Sequence, residues 1–137
     1  MKISELMTPE VEVIRPDDTL HTAAQMMADL DTGALPVGEN DRLVGMITDR
    51  DIAVRAVAKG SDPNKTAVRD VMSAHIRYCF EDEDTHVVGR KMGEWQIRRL
   101  PVLNRDKRLV GIVSLGDLAI GGAGEESKEA LKEISEA

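Results

Sequence analysis

Aromatic residues are nearly missing from this 137-residue chain, which has a single Phe, a single Trp and a single Tyr (Phe80, Trp95 and Tyr78). A core must therefore rest on Val, Leu, Ile, Met and Ala, and stacking platforms for single-stranded nucleic acid are scarce. Positive charge is also short. The 18 Lys and Arg face 25 Asp and Glu, a formal net charge of −7. That balance disfavours attraction to DNA phosphates or anionic lipid and argues against a nucleic-acid or membrane partner. Cys79 is the single cysteine, which excludes an intramolecular disulfide and a cysteine-clustered metal site and suits a reducing compartment. No apolar run approaches membrane-spanning length, and the opening MKISELMTPE lacks the apolar core of a signal peptide. The expectation is a soluble, cytoplasmic protein.

What is present suffices for a globular fold. Hydrophobic residues make up 42% of the chain, and the length suits one domain or two very small ones. Self-comparison reveals an internal repeat. Met7 aligns with Met72, Val11 with Ile76, Asp17 with Asp82, His21 with His86 and Met27 with Met92, while LPV at 35–37 aligns with LPV at 100–102. One extra residue enters the polar loop NRDKR relative to ENDR. RLVG at 42–45 then falls on RLVG at 108–111, and Asp51 on Asp117.

Both copies carry the same coarse plan. EVEVI at 10–14 and HIRYCF at 75–80 read as short strands. Leu20, Ala23, Ala24, Met27 and Leu30 follow the acidic PDDT at helical spacing and predict a capped amphipathic helix. Val88, Met92 and Trp95 repeat the spacing, although Gly89 and Gly93 weaken it. ALPVGENDRLVGMIT and RLPVLNRDKRLVGIVS read as hairpins of two apolar strands. A second helix begins at Asp51 or Asp117, and in the first copy it stops at Gly60. TAVRDVMS mirrors KISELMT as a short opening helix. The expected division is a first repeat over 1–60, a linker over 61–65, a second repeat over 66–121 and a polar helical tail over 122–137. Each copy alone is near the lower limit for a sufficient core. The two should therefore pack together about a pseudo-two-fold axis, with two related ligand clefts between them.

The turn between hairpin and second helix is written twice, as GMITDRDI at 45–52 and GIVSLGDL at 111–118. Thr48 with Asp51, and Ser114 with Asp117, fit capping boxes, in which an N-cap hydroxyl and an N3 acid satisfy orphan amides. They equally fit half-sites for a phosphorylated, hydroxyl-bearing ligand. Arg50 stands inside the first turn and Gly116 inside the second, so two such sites would be unequal. His21 and His86 share equivalent helix positions, but no Asp, Glu or Cys joins them at zinc-motif spacing, so no metal site is expected. Met26, Met27 and Met92 read as packing residues. There is no nucleophile motif, HExxH or P-loop, and Asp49 with Asp51, or the acids of FEDED at 80–84, are more simply caps than catalytic pairs. No enzyme is expected.

With that order in hand, MTPEVEVIRPDDTL, GALPV and RLVGMITDRDI, echoed by MSAHIRYCFEDEDT, RRLPV and RLVGIVSLGDL, resemble a tandem pair of CBS domains, the Bateman module. The likeness covers residues 1 to 121, and the short form is similar to small bacterial CBS-pair proteins of the stress- or hypoxic-response type. It implies an α/β (α+β) fold of two pseudo-symmetric repeats, each a small three-stranded sheet with two helices. It also implies adenosine-containing ligands in the clefts: AMP, ADP or ATP, with NAD as a variant, and no required cofactor. Residues carried over by the resemblance are Thr48 with Asp51 and Ser114 with Asp117 for ribose and phosphate. Asp18, Ala23, Thr32, Gly33 and Ala34 would join the Ser114 cleft. Glu83, Val88, Ile97, Arg98 and Arg99 would join the Thr48 cleft, together with Arg50, with Arg98 and Arg99 at basic phosphate positions. Val11 and Ile76 would lie beside adenine. A homodimer formed through apolar helix faces and a separate effector protein complete the expectation; the alternative is a ligand-free scaffold for dimerisation or protein interaction.

Overall fold

The structure, a computed structural model, describes residues 1–120; the tail expected over 122–137 lies outside the described residues. Along the chain run β1 (Thr8–Pro9), α1 (Leu20–Leu30), β2 (Ala34–Glu39), β3 (Arg42–Thr48), α2 (Asp49–Arg55), β4 (Cys79–Phe80), α3 (Thr85–Trp95), β5 (Arg99–Leu103), β6 (Leu109–Ser114) and α4 (Leu115–Ile120). Single 3-10 turns occupy Ile3–Glu5, Val57–Lys59 and Val68–Asp70. This is the mixed α/β fold of two repeats that the resemblance implies. Among the described residues, no helix is long and apolar enough to cross a membrane.

Hairpin chemistry accounts for the best-formed strands. β2 and β3 pair antiparallel from Ala34 opposite Thr48 to Glu39 opposite Arg42. Their turn is Asn40-Asp41, both residues left-handed at φ 54° and 63°, as a two-residue turn matched to strand twist demands. β5 and β6 repeat the ladder from Arg99 opposite Ser114 to Leu103 opposite Leu109. Here the extra residue changes the turn. Asn104 folds it with its own side chain, Oδ1 accepting the amides of Asp106 (3.0 Å) and Arg108 (2.9 Å), an Asx device.

The predicted helices form with local differences. Thr19 caps α1, its Oγ1 accepting the Thr22 amide at 3.2 Å. Leu20, Ala23 and Met27 turn inward, but Ala24 is exposed and Leu30 is 46% exposed, so the stripe is narrower than expected. α3 spans eleven residues in spite of Gly89 and Gly93, because both glycines lie on its buried face and packing there outweighs propensity. Both helices end on a non-glycine left-handed residue, Asp31 (φ 51°) and Gln96 (φ 55°), at matching repeat positions. α2 starts earlier than expected, at Asp49, and gives way at Ala56 to the 3-10 turn that stops at Gly60 (φ 78°).

Three sequence readings are corrected. EVEVI forms no strand: Glu10 is left-handed (φ 56°), and only Ile14 touches a sheet, as an isolated parallel bridge to Val37. In HIRYCF the strand shrinks to Cys79–Phe80, parallel to β5. The opening helices are single 3-10 turns, because so few residues cannot offset the cost of helix nucleation.

The chain divides into two compact units that do not follow the repeat boundaries. Glu12–Ile76 form one; Met1–Val11 join the described residues from Arg77 onward in the other. Each compact unit is thus completed by the opening segment of the other copy. The bonds show why. In the unit containing the chain start, β1 pairs with β6, giving the sheet order β1-β6-β5-β4. Ile3, wholly buried, joins Val88, Met92, Leu100, Val102, Val113 and Leu118 in its core. In the other unit, Ser73 does what Thr8 does, exchanging backbone bonds of 2.9 and 3.0 Å with Met46 of β3. Val68 and Val71 there join Ile14, Leu20, Ala23, Leu35, Val37 and Ile47.

Glycine makes the seating of these segments so close. A Cβ on Gly45 would lie 2.7 Å from Met72 Sδ and 2.9 Å from the Ser73 carbonyl oxygen, and one on Gly111 would lie 2.6 Å from Met7 Sδ and 2.9 Å from that of Thr8.

Candidate functional site

The two repeated turns are built almost identically. At the start of α2 the Thr48 hydroxyl accepts the Asp51 amide at 3.0 Å, and Asp51 Oδ2 accepts the Thr48 amide at 3.0 Å. At the start of α4, Ser114 Oγ accepts the Asp117 amide at 3.1 Å and Asp117 Oδ2 accepts the Ser114 amide at 2.9 Å. Both are therefore reciprocal capping boxes, and both sit half-buried at the end of a hairpin strand. The capping half of the sequence reading holds in both copies. It leaves the carboxylates with acceptor capacity to spare, because an ionised carboxylate offers about four lone-pair sites. Asp51 Oδ1 faces Arg55 Nε at 3.8 Å, whereas Asp117 Oδ1 makes no further contact among the described residues.

A second chain segment meets each turn. The Asp49 amide donates to the Gly33 carbonyl at 2.9 Å, and the Leu115 amide to the Arg98 carbonyl at 3.1 Å. Thr32–Ala34 therefore belong beside Thr48 and Asp51 of their own unit, with Thr32 Oγ1 folding the segment through 3.2 and 3.4 Å bonds to Ala34. Ile97–Arg99 likewise belong beside Ser114 and Asp117, with Arg99 directly opposite Ser114 in the ladder. The structure groups these residues by unit, where the sequence reading had assigned each segment to the opposite turn. The reason is covalent economy: a strand that starts beside its hairpin partner's end must bring the residues before it along.

Sequence reasoning noted Asp49 only as a cap, yet its role separates the two turns. Its Oδ1 accepts the Arg50 amide at 2.8 Å, and its carboxylate lies against Gly33, whose added Cβ would approach Oδ2 to 2.9 Å. The first three amides of α2 are thus all taken inside the protein, one of them by a carboxylate. In the second turn the corresponding residue is Leu115, which is buried. Arg98 replaces Gly33, and the Gly116 amide makes no bond among the described residues. Arg98 and Arg99 are exposed there, as Arg50 is in the first turn. A mismatch between otherwise faithful copies was the available signal, in Gly33 against Arg98 and Asp49 against Leu115.

The remaining candidates are mostly structural. Ala23 and Val88 are 0% exposed in the cores of their units. Asp18 Oδ2 accepts the Arg15 amide at 3.0 Å while its carbonyl accepts the Val68 amide at 2.8 Å. Glu83 does a similar double duty, one oxygen accepting the Phe80 amide and the other meeting Lys91 Nζ, both at 2.8 Å. These two acids fix the approach to α1 and α3. Val11 and Ile76 are half-buried and outside any strand. His21 and His86 are exposed, and among the described residues no three His, Cys, Asp or Glu side chains are grouped to hold a metal ion. Met26, Met27 and Met92 pack in or against the cores as read.

Ionisation is shifted at two places. Burial, assisted by the Glu83 charge, pushes the Cys79 thiol up to about 12, with Lys91 opposing. At the surface, Arg105 forks onto Asp82 with bonds of 2.7 and 2.9 Å and lies 4.1 Å over the Phe80 ring. That guanidinium holds the Asp82 carboxyl below the usual range.

The CBS domain family model matches residues 3–57 and again 68–121. The chain belongs to the CBS-domain family, as a tandem pair. CBS domain-containing protein YhcV of Bacillus subtilis (strain 168) is 40% identical over 134 residues, which are 97% of this chain and 94% of that protein. Among solved structures, Hypoxic Response Protein I with two coordinated zinc ions is 38% identical, with a TM-score of 0.80 over 88% of this chain and 98% of that one. The CBS domain pair of protein MJ0100, in complex with 5'-methylthioadenosine and S-adenosyl-L-methionine, is 26% identical, with a TM-score of 0.76 over 91% and 98% of the two chains.

Proposed function

We propose that this protein is a regulatory module that binds adenosine-containing nucleotides at its Thr48/Asp51 and Ser114/Asp117 turns. The observation that carries the reading is the spare acceptor capacity of an aspartate already locked in orientation by its capping bond. Such a carboxylate can accept both ribose hydroxyls in charge-assisted bonds without losing its cap. Family membership and the adenosine ligands of the MJ0100 pair support the same class.

The two turns are unequal in charge, and this orders the candidates AMP, ADP, ATP and NAD. Asp49 sets a carboxylate at the first turn, while Arg98, Arg99 and the Gly116 amide flank the second. A phosphate-bearing ligand therefore favours the Ser114 turn. Binding would shift the balance between two arrangements of the repeats by no more than the ligand's differential affinity for them. A homodimer would pass that shift to an effector protein, without catalysis in this chain.

A thermal-shift panel on nucleotide-stripped protein tests the reading. A native-state ligand at about 100 times its Kd adds about 2.7 kcal/mol. The expected result is stabilisation by adenylates that disappears in Asp117→Asn and survives, or grows, in Asp49→Asn. The second reading, a ligand-free interaction scaffold, is favoured by the completeness of both capping boxes without any ligand. No shift with AMP, ADP, ATP, NAD or S-adenosylmethionine across a wide concentration range would establish it instead.

A further inference from the structure

Met7 and Met72 hold equivalent places in the two copies, each at the end of an opening segment that completes the sheet of its unit. Each thioether is seated on a strand glycine so closely that a single added carbon could not fit: 2.6 Å from Met7 Sδ at Gly111 and 2.7 Å from Met72 Sδ at Gly45. Both side chains are half-buried and pack against their unit's core, unlike the buried Met27 and Met92. The backbone beside each pairs with a strand, Thr8 with Ile112 and Pro9 with Gly111 in one unit, Ser73 with Met46 in the other.

We propose that Met7 and Met72 are a matched pair of oxidation sites, through which peroxide unseats the two opening segments. The chemistry is a two-electron oxygen transfer. The thioether sulfur attacks a peroxide oxygen, the O–O bond breaks, an S=O bond forms, and water leaves as the reduced product. The new oxygen enlarges and polarises the atom that already fills the space above the glycine. To hydrate that oxygen the flexible side chain must turn away from the glycine, which withdraws an apolar contact from the seat of the segment. Reduction of the sulfoxide reverses the change. The single thiol does not compete, because Cys79 is buried in the core and stays protonated, and the thiolate is the reactive form.

The test treats the whole chain with dilute hydrogen peroxide. It follows sulfoxide at each methionine by peptide mass mapping, with the melting temperature and the rate of proteolysis at 1–11 and 66–76 read in parallel. Met7 and Met72 should oxidise well before the buried Met27 and Met92. The melting temperature should fall by several degrees and cleavage of both segments rise several-fold, and sulfoxide reductases should restore both. Met7→Leu/Met72→Leu, a volume-conserving change, should be indifferent to peroxide. Should that variant fold poorly, partly oxidised wild-type fractions replace it, and destabilisation must track sulfoxide occupancy at these two residues. Wild type that is oxidised at both positions yet keeps its melting temperature and protease resistance overturns the proposal. So does a loss of stability that tracks Met1, Met26 or Met46 instead.

Discussion

Replacing Gly111 by alanine should destabilise the protein, although alanine is the better residue almost everywhere else in a folded chain. The new Cβ would stand 2.6 Å from Met7 Sδ, 3.0 Å from Met7 Cγ and 2.9 Å from the Thr8 carbonyl oxygen. Favourable non-bonded distances begin at about 3.5 Å, so the overlap exceeds half an ångström on two sides. The sulfur can swing away, being the end of a flexible side chain. The carbonyl cannot, because Thr8 is paired with Ile112. The opening segment must therefore lift or the strand must bend, and overpacking of this kind costs about 1–3 kcal/mol. At roughly 4 °C per kcal/mol for a domain of this size, the melting temperature should fall by roughly 4–12 °C. Gly116→Ala is the internal control. Its Cβ would meet only Ser114 Oγ, at 3.6 Å, and exchanging a helical glycine for alanine gains about 0.5–1 kcal/mol. Calorimetry on both variants should thus give shifts of opposite sign. Adding Met7→Ala to Gly111→Ala should recover only part of the loss, because the carbonyl contact remains. A Gly111→Ala protein that melts with wild type would show that Met7–Pro9 does not sit on β6 as described, and the argument from close approach would fail.

Two further outcomes follow from ionisation. With its thiol pushed up to about 12 by burial, Cys79 should be inert to thiol reagents at pH 8 in the native protein and react at once in denaturant; fast labelling of native protein would contradict the buried position. The same shift makes its share of stability complete below the ordinary thiol pKa and lost as pH rises toward about 12. Asp82 runs the other way: the Arg105 guanidinium lowers its pKa, so the pair's contribution is present above the usual carboxylate range and lost as pH falls through the lowered value. Carboxyl titration by NMR should show the depression in wild type and its disappearance in Arg105→Ala, and an unchanged titration in that variant would remove Arg105 as the cause.

What could be read from the sequence was whatever the chemistry fixes locally. The hydroxyl and aspartate of TDRD and SLGD stand at the spacing that caps the helix that follows them, so both boxes were legible. The hairpins were legible because apolar runs flank polar loops. The ownership of KISELM and TAVRDVM was not. A short apolar segment says that it needs a core, never which core, and the answer came from Ile3 and Val68 each entering the unit built on the other copy. The same blindness hid that Thr32–Ala34 and Ile97–Arg99 meet the turn of their own unit, a neighbourhood set by strand pairing rather than by composition. Helical spacing shows which face of α1 and α3 is apolar and not how deeply it is covered, so the full burial of Ala23 and Val88 was not legible.

The duplication carries one more lesson, in where it fails. Positions that hold the fold stayed alike after the copies diverged: Met7 and Met72 on Gly111 and Gly45, Asp31 and Gln96 as left-handed caps, and the LPV strands. Positions at the mouth of the turn did not. Gly33 with Asp49 in one copy stands against Arg98 with Leu115 in the other, although all four backbones make the same carbonyl-to-amide contact. Since the contact survives either pairing, its geometry cannot be what required the exchange of an acid for an apolar residue and a glycine for a base. The difference lies in the charge presented to whatever meets the turn. Part of that exchange is packing, since Leu115 enters its unit's core while Asp49 stays exposed; the exchange of Gly33 for the exposed Arg98 alters surface charge alone, and it is the change on which the proposed inequality of the two turns rests.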